Sequence, residues 1–279
     1  MWNRIERVEV SEALAGGGAG TNYLVVGSDS RDTLEEGDPG FDPNAGPSGQ
    51  RSDTMMILHT EGGKAQMLSL PRDLYVEIAD TGGSAKLNSA YNGGPERLVR
   101  TVTGSLGIPV DRYMEVDFAS FGGLVDGLDG VTIDFEHPAF DRKSGLDVRQ
   151  AGPVELDGEQ ALAYVRSRTY TEVIDGQERV DPTGDLGRIE RQQKFLRAVF
   201  SELTGTRNPF SLGSAFSGLS GGLRIDDAMS MFDGIRLAWA LRGTDSEPLV
   251  LPVDNASNEA GSVLILRDDE AQPILDQVR

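Results

Sequence analysis

Arg166, Arg168, Arg188 and Arg191 fall close together in the stretch Gly158 to Leu203 of a chain whose formal net charge is −19. Arginines gathered in so acidic a chain do not reflect a generally basic surface; they indicate a local anion site. Asp29, Arg31 and Asp53 stand near one strand end, and Arg72 follows another. Carboxylates with arginines suit phosphoryl transfer. Its transition state spreads negative charge over oxygens, and the protein contributes mainly positioning and positive groups. Two aspartates can hold a magnesium ion through oxygen. Singly, each residue has a plainer reading: Asp29 as a strand-end turn residue, Asp53 as a cap, Arg72 as half of a surface ion pair.

A helix must carry the later arginines. Leu196, Val199, Phe200 and Leu203 recur at the spacing of one apolar stripe, and Gly205 follows as its stop. Stepping back in fours from Leu196 gives Gln192 and Arg188, so the inward face ends in an amide and a guanidinium at the helix start, where free amides favour anions. The alternative is a solvated arginine face with pairs such as Glu190 and Lys194. Upstream, Asp157 with Gln160 resembles a capping box that starts a helix from Gly158 toward Arg166.

The other elements follow in order. Residues 1–20 end in a glycine run and read as a flexible lead-in. Asn22 to Val26 is a strand that runs into Gly27-Ser28-Asp29-Ser30-Arg31-Asp32, where open α/β sheets place ligands. Residues 33–50 form an acidic Gly/Pro loop. Met55 to Thr60 and Ala65 to Leu70 make a hairpin that stops at Pro71-Arg72-Asp73, and Leu74 to Ile78 is a further short strand. Pro95 opens a helix with Leu98, Val102 and Leu106 in register and Gly107 as stop. Strands follow at Met114 to Phe118 and Val131 to Phe135, with a helix at Phe121 to Leu128 between them. After a Gly/Ser/Phe-rich connection, Asp227 caps a helix carrying Met231, Phe232, Ile235 and Trp239. Strands at Leu249 to Val253 and Val263 to Leu266 and a helix from Asp268 to Val278 close the chain. This alternation predicts the α/β class: one domain over 21–279, a central mixed sheet flanked by helices in three α/β/α layers.

Several chemistries have no motif here. There is no GxxxxGK[ST] loop, HExxH or cysteine. Gly218-Leu219-Ser220-Gly221-Gly222 matches GxSxG, but no apolar strand precedes it and both histidines, His59 and His137, come before the serine. With 45 acidic against 26 basic residues, nucleic acid is disfavoured as a partner. No apolar run is long enough to span a membrane.

The combination of blocks is more specific than any one of them. GSDSR, RSDTMMI, LSLPRDLYVEI, KLNSAY, YMEVDFASF, LDGVTIDF, LDGEQALAYVRSR and GDLGRIERQQKFL stand in the order of the LytR-CpsA-Psr family, which the chain resembles from about Asn22 to Leu203. The resemblance implies a phosphotransferase on the outer face of the cytoplasmic membrane. Such an enzyme moves a glycopolymer from a polyprenyl-pyrophosphate carrier onto peptidoglycan, forming a phosphodiester and releasing polyprenyl phosphate. It implies an N-terminal membrane helix missing from this chain, which makes residues 1–20 a lead-in after a removed anchor. The arginine-rich, lysine-poor composition makes an arabinogalactan-type polymer the guess for the cargo.

By the same resemblance, Asp29 and Asp53 bind Mg2+, while Arg72, Arg166, Arg168, Arg188 and Gln192 grip the pyrophosphate. Arg31, Lys86 and Arg191 lie in matching blocks and are expected to join them at the pyrophosphate. Asp185 corresponds to an acid that deprotonates the acceptor hydroxyl, and is alternatively the N-cap of the Arg188 helix. Leu196, Val199, Phe200 and Leu203 line a prenyl tunnel or are ordinary core. The chain departs from the family pattern in the acidic loop between Asp29 and Asp53 and at Thr169 to Thr183. Rival functions are hydrolysis of such lipids to release phosphate, non-catalytic binding of anionic prenyl lipids, and the regulatory role suggested by the family's older name.

Overall fold

A computed structural model describes residues 5–16, 20–28, 52–117, 121–183, 185–205, 222–241 and 249–279. In chain order come β1 (Glu6–Val8), β2 (Thr21–Ser28), β3 (Ser52–Glu61), β4 (Lys64–Leu70), β5 (Tyr75–Ile78), β6 (Gly83–Lys86), α1 (Leu87–Tyr91), α2 (Pro95–Leu106) and β7 (Arg112–Asp117). Next are α3 (Phe121–Gly127), β8 (Val131–Phe135), β9 (Ala139–Asp141), β10 (Leu146–Val148), β11 (Gly152–Leu156), α4 (Gly158–Arg166), β12 (Thr171–Ile174), β13 (Gln177–Val180) and α5 (Asp185–Gly205). The chain closes with β14 (Leu223–Asp226), α6 (Met231–Leu241), β15 (Leu249–Val250), β16 (Val253–Asn258), β17 (Gly261–Leu266) and α7 (Asp268–Leu275). These elements form two compact units, one of β1 to β7, β14 to β17, α1, α2, α6 and α7, the other of β8 to β13 and α3 to α5.

The first unit is built on a seven-stranded mixed sheet ordered β1-β14-β7-β2-β3-β4-β15. Period-two alternation in β2, β3 and β4 sends Leu24, Val26, Met55, Ile57, Leu68 and Leu70 to one face. There they pack with Leu87, Leu98, Val102, Ala271 and Leu275 of α1, α2 and α7. Tyr23, Met56, Leu58 and Met67 alternate to the other face and are also buried. On that side the Tyr23 hydroxyl donates to the Asp233 carbonyl of α6 at 3.2 Å, so helices flank the sheet on both faces, as the α/β expectation required. Helix α2 ends where expected, because Gly107 adopts the left-handed conformation (φ 65°) that caps a helix C-terminus.

Three local readings are corrected. Glu6–Val8, taken as lead-in, is the edge strand β1, paired in parallel with β14, and Val8 and Val10 enter the core. Asp227 does not cap α6; its carboxylate accepts from Val10 N and Ser11 Oγ. Ser230 and Asp233 make the cap instead, the Asp233 carboxylate accepting from Ser230 N and Oγ while Asp233 N donates to Ser230 Oγ. The stretch Leu249 to Val253 is two strands rather than one, because β16 leaves the large sheet to pair with β17.

The second unit holds the antiparallel pair β8–β11, a four-stranded sheet ordered β10-β9-β12-β13, and the helices α3, α4 and α5. Asp157 caps α4 as expected, its side chain accepting from Gln160 N at 2.9 Å. Gln160 does not reciprocate as in a full capping box: its Oε1 accepts from Asp147 N and its Nε2 donates to Gly145 O. The Thr169 to Thr183 insertion is a hairpin, β12–β13, turned by Asp175 and Gly176 at φ 53° and 75°.

Candidate phosphate-binding site

In the second unit, the inward polar face expected of α5 is present. Arg188 and Gln192 lie one turn apart and are 3% and 2% exposed, and Arg191 beside them is also buried. This decides against the solvated arginine face: Lys194 donates to the Asp134 carbonyl of β8, and Glu190 lies exposed. Gln192 Nε2 donates to Val165 O at 3.3 Å and Arg191 Nη2 to Ser167 O at 3.0 Å, which ties α5 to the end of α4. Gln192 Oε1 is buried with no hydrogen-bond partner among the described residues; as an acceptor it needs a donor, so the group of Gln192 that can meet a phosphate oxygen is the second N–H of Nε2.

The turn leaving α4 carries the other two arginines. Arg166 is the last helical residue and half-buried, Ser167 is the fully buried C-cap, and Arg168 is exposed. Beneath the turn lies Asp141, 1% exposed at the end of β9. Its Oδ2 accepts from Ser167 Oγ at 2.7 Å, Arg168 N at 3.1 Å and Thr169 N at 2.8 Å, and its Oδ1 from Thr169 Oγ1 at 2.7 Å and Lys143 N at 2.9 Å. Burial alone would raise the Asp141 pKa. The donors from Ser167, Thr169 and Lys143 outweigh it and hold the carboxyl well below its ordinary range.

Arg191 is a brace. Its Nη1 pairs with Asp181 Oδ2 at 2.8 Å, and its guanidinium lies 4.6 Å from the centre of the Tyr170 ring. Both partners belong to the insertion hairpin or its flanks, so the segment that departs from the family pattern is bolted to α5. Burial would raise the Asp181 pKa, but Thr183 and Arg191 lower it overall.

In the first unit, Arg72 and Lys86 meet on one carboxylate. Arg72 Nε lies 3.3 Å from Asp73 Oδ2 and Lys86 Nζ 3.0 Å from Asp73 Oδ1. The loop is fixed by Asn88 N donating to Arg72 O and Leu264 N to Asp73 O. Asp53 lies on β3 at a bulge: Gly27 pairs with Thr54 and Ser28 with Ser52, so Asp53 is the extra residue in the ladder. Such bulges re-aim side chains. The neighbouring Thr54 Oγ1 is buried with no hydrogen-bond partner among the described residues.

Asp29, Arg31 and the side chains of Asp53, Asp185, Phe200 and Leu203 lie outside the described residues. Asp185 is the first residue of α5 rather than its N-cap. Leu196 and Val199 are buried, as either core or tunnel lining requires. Among the described residues no cluster of three or more His, Asp or Glu side chains is placed to hold a metal ion.

Asp141, Asp181 and Asp73 were not singled out in the sequence. Asp73 had a signal, since it follows Arg72 directly at a strand end. The hairpin also had one: Asp175-Gly176, a turn dipeptide, directly follows the largely β-branched run Thr171-Glu172-Val173-Ile174. Asp141 showed only a local turn, with Lys143 N as donor, because the partners that give it a role, Ser167, Arg168 and Thr169, lie far along the chain.

The LytR_cpsA_psr family model matches residues 3–278. The chain belongs to the LytR-CpsA-Psr family. It is 34% identical to the probable cell wall biosynthesis protein LcpB of Corynebacterium glutamicum over 292 aligned residues, covering 100% of this chain and 66% of LcpB. It is 35% identical to the polyisoprenyl-teichoic acid–peptidoglycan teichoic acid transferase TagV of Bacillus subtilis, over 57% of this chain and 40% of TagV. The chain therefore spans less than two thirds of the length of these relatives. A solved LytR-Csp2A-Psr enzyme from Actinomyces oris shares its fold, with a TM-score of 0.74, 24% identity and coverage of 99% of this chain and 96% of that one.

Proposed function

We propose that this LytR-CpsA-Psr chain is a phosphotransferase that moves a glycopolymer from a polyprenyl-pyrophosphate carrier onto peptidoglycan. The observation that carries the reading is the buried Arg188 and Gln192 face of α5, tied by hydrogen bonds to the turn bearing Arg166 and Arg168. Guanidiniums held in place and shielded from water act on an oxyanion far more strongly than mobile surface ones. The name of TagV supplies the substrate class, and LcpB supports a role in the cell wall.

In this reading Arg166, Arg168, Arg188 and Gln192 hold the diphosphate; that Arg72 and Lys86 add further cations is what the family resemblance implies. The acceptor hydroxyl oxygen bonds to the phosphorus that carries the glycan, and its proton passes to the Asp185 carboxylate. The bond from that phosphorus to the bridging oxygen breaks, and polyprenyl phosphate leaves with the electron pair. Asp29 and Asp53 would hold Mg2+, whose charge offsets that of the diphosphate. The bulge at Asp53 and the unmatched Thr54 hydroxyl fit the oxygen chemistry of that ion. Buried Leu196 and Val199 fit the wall of a prenyl site. Donor and acceptor of this kind meet at the outer face of the cytoplasmic membrane, and among the described residues no helix is long and apolar enough to cross one. An arabinogalactan-type polymer is our guess for the cargo, made from the arginine-over-lysine coding bias as a hint of source.

Transfer from a polyprenyl-pyrophosphate-linked glycan to a peptidoglycan fragment tests this. Arg168→Ala or Arg188→Ala should lower kcat by about 100-fold or more; turnover equal to wild type would reject the reading. Diphosphate cleavage that proceeds equally without acceptor would point to hydrolysis instead.

A further inference from the structure

A buried carboxylate is expensive unless a cation or hydrogen bonds replace its water, and among the described residues Asp141 makes no ion pair. Asp141 meets that cost with dipoles: two hydroxyls and three backbone N–H groups within 3.1 Å. Four of those five donors come from Ser167, Arg168 and Thr169, the turn that presents the arginines. From the opposite side, Arg191 donates to Ser167 O. The turn is thus clamped between β9 and α5, while the Arg168 side chain stays exposed to meet a ligand.

We infer that Asp141 is a positioning residue for diphosphate capture, acting through the backbone of the Ser167–Thr169 turn to hold the Arg166 and Arg168 guanidiniums in their binding geometry. A displacement of about 1 Å in a charged contact can cost 100-fold in rate, which is the scale on which a loosened turn would be felt. At metal sites, residues that hold the ligating groups without touching the metal typically alter affinity or activity by about 10- to 100-fold, and Asp141 stands in the same relation to the arginines. The inference rests on the phosphotransferase reading and adds a residue that does not touch the substrate.

The test uses the full chain and geranyl pyrophosphate as probe, with affinity read by calorimetry for wild type, Asp141→Asn, Arg168→Ala and the double variant. Asp141→Asn should weaken binding by about 10-fold or more. The double variant should lose less than the product of the two single losses, because the carboxylate works in part through that arginine and in part through Arg166. Wild-type affinity in Asp141→Asn, or losses that simply multiply in the double variant, would overturn the inference. Ser167→Ala removes one donor and keeps the carboxylate, so it serves if Asp141→Asn does not fold. It should show a loss of a few-fold, and unchanged affinity would count against the inference. Binding that follows this pattern with no glycan transfer by wild type would overturn the transferase reading alone; a wild type that binds no diphosphate would overturn both.

Discussion

Arg191 and Arg188 are near neighbours on α5 with different tasks. Arg191 is committed to Asp181, Ser167 O and the Tyr170 ring, so its loss should be felt as stability before it is felt as chemistry. Arg191→Lys keeps the charge but cannot reproduce the fork or the stacking, and should destabilise the fold by about 2 kcal/mol in urea unfolding. Asp141 and Asp181 both titrate below their ordinary carboxyl value of 3.8 in the folded chain. A depressed carboxyl pKa contributes stability above the unfolded value, and that stability is lost as pH falls through the folded one. Thermal midpoints should therefore drop as pH is lowered beneath about 3.8, and Asp141→Asn should flatten that dependence. An identical slope in the variant would remove Asp141 from the account.

At the scale of elements, the insertion hairpin and α5 meet at Gly187. A Cβ there would collide with the Asp181 carboxylate and the Thr183 hydroxyl, so Gly187→Ala should cost about 1–3 kcal/mol by pushing the hairpin's end off the helix. Chemical denaturation reads this, and wild-type stability would show that the segment adjusts freely. Elements were legible in the sequence where local chemistry decides them. Asp157 marked the start of α4, Gly107 the end of α2, and stepping back along the α5 stripe found Arg188 and Gln192. Elements decided by distant partners were not. Glu6–Val8 is a strand because β14 lies beside it, and Asp227 turns to Val10 and Ser11 rather than to α6. The arginines of the site could be read from type and spacing. The carboxylates that hold them could not, since Asp141 is separated from Ser167 by two strands and a helix.

For the molecule as a whole, the charge of −19 sets what it can approach. Nine of its 26 cations lie in the family motifs, and the general field repels polyanions. Retention on duplex DNA at low salt should thus be no greater than that of a neutral control protein, and salt-sensitive retention would revive a regulatory role. Helix α6 adds an exposed apolar side: Phe232 and Trp239 are 72% and 66% exposed, opposite the buried Leu237, Ala240 and Leu241.

The central claim is that arginines brought together by α4, its following turn and α5 receive a diphosphate. A crystal structure of the chain soaked with geranyl pyrophosphate and Mg2+ measures this directly. The account predicts phosphate oxygens within hydrogen-bond distance of Arg188 and of at least one of Arg166 and Arg168. A diphosphate bound elsewhere, with those guanidiniums untouched, would contradict it.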